Sequence, residues 1–305
     1  RRYSSAASDV YKRQILYREE RAKKRGKPKK KTIELDKEVN ISVTKKNGET
    51  VPLDVARLSS IITDACEGLD DVDPKVVLEE SIGNLYDGVS VADMRASLIM
   101  TARTKVEKEP NYSFVTARIL MDQIRNEALE FLGIAEDATF GDMQEYYPKA
   151  LLSYIDKGIE LDILNPELKT FDLEKIGQAI DHTRDNQFTY LGLQTLYDRY
   201  FIHSDDTRYE LPQVFFMRVA MGLAMEEEKR EERAIEFYNL ISSFDYMSST
   251  PTLFNSGTVR PQLSSCYLST VPDDLKGIFT AYQDMALLSK WAGGLGYDWT
   301  PVRSL

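Results

Sequence analysis

The sequence predicts a mainly helical α+β chain, on three observations. Apolar residues recur at helical spacing over most of residues 54–245, two short alternating runs flank Asn47-Gly48, and after Tyr246 small, polar, Gly and Pro residues take over with regular apolar punctuation. At 305 residues there is room for more than one domain. A content of 42% hydrophobic and 29% charged residues is that of an ordinary globular protein. No run nears the roughly 18 uninterrupted apolar residues of a membrane span, and no secretory pattern opens the chain. Two cysteines, Cys66 and Cys266, make no disulfide framework, so a reducing cytoplasm is the expected setting. A formal net charge of −10 argues against a general nucleic-acid binder.

Residues 1–14 (RRYSSAASDVYKRQ) begin without Met and share no pattern with the rest of the chain, so they are expected to be a non-native leader. Residues 15–38 read as a basic linker with a short helix at ILYREERAKK. Its run from Arg21 to Lys31 has no apolar periodicity, which favours a solvated arm over a polyanion-binding element. Order begins near Val39. Ile41 and Val43 alternate on one side of Asn47-Gly48, with Val51 and Leu53 beyond it, the pattern of a β-hairpin. Asp54 can cap a helix whose Leu58, Ile61, Ile62 and Ala65 fall at helical spacing, with Gly68 as its stop. Three more helices are expected, from Pro74 to Leu85, Val91 to Lys108 and Tyr112 to Leu132. Tyr86-Asp87-Gly88 and Glu109-Pro110-Asn111 separate them.

Residues 141–245 are again helical and rich in aromatics. The stripe Phe215, Val219, Met221, Leu223, Met225 reads as core rather than a cofactor box. His182 and His203 stand apart without metal-ligand spacing, so no metal site is expected. Cys66 reads as a small buried hydrophobe. The last sixty residues place Ser, Thr and Cys on loops and short strands before and after a helix, where sites tend to sit.

The string SSTPTLFNSGTVRPQLSSCYL, followed by VPDDL and WAGGLGYDWTPVR, resembles the start of the catalytic barrel in ribonucleotide reductase large subunits. The hairpin and four helices over 39–132 resemble the ATP-cone, a regulatory nucleotide-binding module, and 141–245 resembles the family's helical N-terminal domain. The resemblance implies that 246–305 begins a ten-stranded α/β barrel and is truncated there. It implies the catalytic subunit of an aerobic, class I ribonucleoside-diphosphate reductase, which makes deoxyribonucleotides for DNA synthesis by radical chemistry. ATP, dATP and dNTP effectors, a thioredoxin- or glutaredoxin-type dithiol, a homodimer of large subunits and a small radical-generating, metal-containing subunit come with that resemblance. No cofactor is expected on this chain itself. The radical cysteine, its neighbouring glutamate and asparagine, and the partner cysteine are expected beyond residue 305, leaving the piece inactive alone.

By the same resemblance Cys266 is the thiol that reduces the substrate and leaves as a disulfide. Thr250 and Ser265 match substrate-contacting hydroxyls, and Gly293 and Gly294 match a pair that admits the nucleotide to the backbone. A plain helix stop is the bland reading of those glycines. Asp273 matches the acid that holds the effector ribose in the specificity site, and it can cap the adjoining helix as well. Asp274, Leu275 and Ile278 belong to the same effector region, and Arg303 matches a residue facing the effector phosphates. In the cone, Lys45, Lys46 and Arg57 match phosphate-facing positions. Val51, Val91 and Asn126 stand where polar or basic contacts are usual, so a working cone and a worn second cone are both open. The competing readings are an adenosylcobalamin-dependent reductase, a cone-bearing nucleotide sensor and a helical adaptor. The TPTLFNSG…QLSSC string is left unexplained by the last two.

Overall fold

The computed structural model describes residues 39–45, 47–291 and 293–304. The leader at 1–14, the linker at 15–38 with its expected helix, and Lys46 lie outside the described residues. The chain falls into two compact units divided between Ile119 and Leu120.

The first unit opens with the hairpin that the sequence predicts. Strands β1 (Ser42–Thr44) and β2 (Thr50–Pro52) pair antiparallel, Val43 opposite Val51. Gly48 takes φ +83°, a value that a side chain disfavours, and its N–H closes the turn on the Lys45 carbonyl at 3.0 Å. Helix α1 (Val55–Cys66) is capped by Asp54, whose carboxylate accepts the Arg57 N–H at 2.9 Å. Helix α2 (Pro74–Gly83) starts with Pro at its first position and Asp73 as cap. The sequence reading missed strand β3 (Val89–Ser90), a two-residue element that lies parallel to β1 and gives the order β2-β1-β3. Two residues are too few to show alternation. Ser90 then caps α3 (Val91–Arg103), which ends five residues short of the expected Lys108. Leu58, Ile62, Val77, Leu78, Val89, Leu98 and Val115 form the core of this unit. Cys66 is buried as expected, and burial pushes its thiol up to about 12.

Helix α4 (Tyr112–Phe131) runs across the division between the units. In the second unit come α5 (Met143–Glu160), two 3₁₀ turns at Pro166–Thr170 and His182–Gln187, α6 (Leu173–Gln178) and α7 (Tyr190–Arg199). A short hairpin that the sequence reading did not foresee, β4 (His203–Ser204) with β5 (Thr207–Arg208), leads to α8 (Pro212–Ala224) and α9 (Arg230–Ser242). Helix α8 is apolar nearly all round, and Phe215, Val219 and Met221 are fully buried. The stripe is core.

Asp185 sits in that core, where Tyr147 donates to it at 2.8 Å and Gln213 at 2.9 Å. Burial pushes its carboxyl up from 3.8 to about 6, although the bonds from Gln213 and Tyr147 favour the ionised form. The folded state therefore holds the extra proton between those two values, and Asp185 removes stability as pH rises through that window. Relative to wild type, Asp185→Asn should gain stability from pH 4 to pH 6.5, by on the order of 3 kcal/mol. Urea midpoints at stepped pH check this, and a flat difference between the two proteins would contradict it.

The final stretch makes a short helix, α10 (Thr250–Asn255), and then a parallel β-α-β unit. Strand β6 (Cys266–Thr270) pairs with β7 (Gly294–Asp298) across α11 (Leu275–Lys290). A helix at Thr250 corrects the expectation of loop and short strand there. Its signals are Pro251 at a first-turn position and Ser249 as the flanking residue. Strand β7 begins at the glycine pair itself, so Gly293 and Gly294 are more than a helix stop. Among the described residues no helix is long and apolar enough to cross a membrane.

Candidate functional site

Strand register brings three of the expected site residues together. Cys266 opens β6 with an exposed, unpaired thiol, and its Cα partner on β7 is Gly294. The Gly294 N–H donates to the Ser265 carbonyl at 2.9 Å, extending the ladder by one residue. A Cβ at Gly294 would stand 3.6 Å from the Cys266 sulfur and 3.1 Å from the Ser265 oxygen. Glycine therefore leaves one flank of the thiol uncovered. At Gly293 a Cβ would meet the Tyr267 ring at 2.6 Å, so that ring closes on bare backbone.

The helix that carries Thr250 is tied to the same region through the segment after α10. Thr252 Oγ1 donates to the Leu263 carbonyl at 3.1 Å, and the Asn255 amide donates to the Gln262 carbonyl at 2.7 Å. Gln262 in turn donates to the Trp291 carbonyl at 3.1 Å. The helix of Thr250, the approach to Cys266 and the turn before Gly293 are thus laced by side-chain hydrogen bonds. The Thr250 hydroxyl lies 3.1 Å from the phenol of Tyr200 at the end of α7.

Beneath α10 lies a buried ion pair that sequence reasoning missed. Arg218 on α8 and Glu210 are 1% and 0% exposed, with Nε donating to Oε1 at 2.7 Å. Tyr154 also donates to Glu210, at 2.5 Å, and the Ile202 N–H at 2.9 Å. Other guanidinium hydrogens go to the carbonyls of Leu253, at 3.1 Å, and Ser256, at 2.7 Å. Burial pulls the Arg218 guanidinium down, but Glu210 and Tyr154 outweigh it and hold its pKa above the ordinary value. Arg218 thereby satisfies the C-terminal carbonyls of a helix too short to satisfy them itself. At Gly222, one turn further along α8, an added Cβ would overlap the Gly257 nitrogen and Ser256 Oγ. The signal in the sequence is an arginine inside PQVFFMRVAMGLA, a charge on a helix otherwise apolar but for Gln213.

The expected effector residues gather around the start of α11. The cap of that helix is Asp274, which accepts the Gly277 N–H at 2.8 Å, and this corrects the reading of Asp273 as the cap. Freed from capping, Asp273 pairs with Arg303 at 2.9 Å. Leu275 is 74% exposed and Ile278 half-buried. In the first unit Lys45 pairs with Glu49 at 3.1 Å, an exposed contact worth little. Arg57 is half-buried on α1, and Val51 and Val91 are also half-buried. Asn126 is buried and directs its side chain to Asp122, at 3.2 Å, and to the Ala138 N–H, at 3.1 Å. Among the described residues no group of three or more His, Cys, Asp or Glu is arranged to hold a metal ion.

Comparison with known families places matches along the chain in order. The ATP cone domain matches residues 41–127, the ribonucleotide reductase all-alpha domain 186–261 and the ribonucleotide reductase barrel domain 264–305. The ribonucleoside-diphosphate reductase subunit alpha of Chlamydia muridarum is 44% identical over 95% of this chain. Its namesake in Helicobacter pylori is 38% identical over 87%, and the large subunit of Danio rerio 33% over 86%. The chain spans 28% to 32% of the length of these relatives. With cone, helical domain and barrel matched in succession and these relatives similar over most of its residues, the chain belongs to the ribonucleotide reductase large-subunit family.

Proposed function

We propose that the chain supplies the regulatory and early catalytic portion of an aerobic ribonucleoside-diphosphate reductase large subunit. The exposed thiol of Cys266 beside side-chain-free Gly294 carries this reading. Reduction at the ribose 2′-carbon replaces C–OH by C–H and releases water. Two thiols lose two electrons and become a disulfide, which an external dithiol then reduces. Cys266 is one of those thiols. Thr250 and Ser265 hydrogen-bond the nucleotide, and the Gly293–Gly294 backbone lets it approach. The second thiol, the radical cysteine, the small metal-containing subunit that generates the radical and a second large subunit are supplied by the rest of the assembly. ATP or dATP acts at the cone, and dNTPs act at Asp273, Asp274, Leu275 and Arg303. Two free cysteines suit a reducing cytoplasm.

The test is the full-length subunit with its radical-generating partner and a dithiol. It should convert ribonucleoside diphosphates to deoxyribonucleotides, with base preference set by the added dNTP. Asp273→Ala removes the acceptor for the effector hydroxyl and the partner of Arg303, so effector-dependent preference should fall about tenfold. A preference unchanged across all dNTPs would take Asp273 out of the effector site. No turnover by the wild type with any diphosphate would end the functional reading.

A further inference from the structure

We infer that Tyr200, on the helical domain, is a positioning residue for the nucleotide and acts through Thr250. The inference rests on the reading of Thr250 as a substrate contact. Three observations fix the phenol. Its ring stacks on Phe254 of α10 with centroids 4.6 Å apart and planes 10° from parallel. The edge of the Phe215 ring, fully buried on α8, meets it at 6.5 Å and 78°. Its N–H is tied to the Leu196 carbonyl at 2.8 Å as the C-cap of α7. With the ring stacked on one aromatic and met by a second, its oxygen lies 3.1 Å from Thr250 Oγ1.

The consequence is directional. A threonine hydroxyl carries one hydrogen and two lone pairs, and free in water it rotates among its staggered positions. Either hydroxyl can donate across this contact; in the arrangement we infer, the Tyr200 O–H donates into one lone pair and the Thr250 hydrogen is turned away from the phenol. It is then available to an anionic oxygen on the exposed side of the residue. The tyrosine thus sets in advance the orientation of a donor that the nucleotide would otherwise have to order. Phe254 serves the same end, since its ring seats Tyr200 while its neighbour Leu253 gives its carbonyl to Arg218.

The test uses the full-length subunit in its active assembly, with Tyr200→Phe, Thr250→Ala and the double variant. Tyr200→Phe keeps the stack and deletes only the hydroxyl. It should raise KM for the diphosphate about fivefold with kcat nearly unchanged, the effect of one neutral hydrogen bond. In the Thr250→Ala background the same change should add nothing, because the group it acts through is gone. Thr250→Ser, which restores the hydroxyl, should restore the sensitivity to Tyr200→Phe. Additive effects in the double variant, or a fall in kcat alone, would overturn the inference. If Thr250→Ala itself leaves KM unchanged, the reading of Thr250 as a substrate contact is what has failed. If Thr250→Ala raises KM and Tyr200→Phe does not, Tyr200 alone loses its role.

Discussion

In the full-length subunit, Cys266→Ser is expected to abolish dithiol-dependent deoxyribonucleotide formation, by about 10³-fold or more. The size comes from the chemistry. A hydroxyl cannot supply one of the two electrons by forming a sulfur–sulfur bond, so the reaction stalls once the 2′-oxygen has left. Binding should survive, because serine is close to isosteric and position 266 is exposed. The strand ladder to Gly294 uses main-chain atoms only. Nucleotide affinity measured by equilibrium dialysis should therefore stay within about threefold while turnover disappears. Near-normal turnover with the dithiol would remove Cys266 from the reaction. Normal turnover in Cys66→Ser is the matching expectation, since that thiol is buried and held protonated.

The second large effect is on stability. Arg218→Met should cost about 3–5 kcal/mol, because it leaves the Glu210 carboxylate buried without its counter-ion. It also strips donors from the carbonyls of Leu253 and Ser256. Methionine retains much of the volume, so the loss reports charge and hydrogen bonding more than a cavity. The double variant Arg218→Met with Glu210→Gln should recover part of the loss, since a neutral amide needs no counter-ion. Urea midpoints of the 305-residue chain followed by circular dichroism give both numbers. A cost below about 1 kcal/mol, or a double variant less stable than Arg218→Met by the full cost of Glu210→Gln alone, would contradict the account.

The parts of the fold that could be read in advance are those with a local cause. Asn47-Gly48 announces its turn, Asp54 its cap, and Leu58 and Ile62 the face that α1 buries. Elements whose cause is distant stayed hidden. Val89–Ser90 becomes a strand because β1 offers an edge, and His203–Arg208 folds back on itself in four paired residues. The same division runs through the site. Cys266, Ser265 and the glycine pair were named from a resemblance of strings, and strand register then set Cys266 against Gly294. Asp273 looked able to cap α11, and the cap lies one residue further on, at Asp274. Tyr200 and Arg218 escaped notice because each matters through a residue some 35 to 50 positions away.

The contact at Gly222 has a mechanical meaning. Where α8 meets residues 256 and 257, main chain lies on main chain with no side chain of residue 222 between to flex. A surface segment of small and polar residues would ordinarily drift on the timescale of loops. This one is bolted to the middle of the bundle, and its thermal excursions should be those of α8 itself. The hydroxyl of Thr250, at the start of α10 and a few residues before that contact, should therefore move with α8.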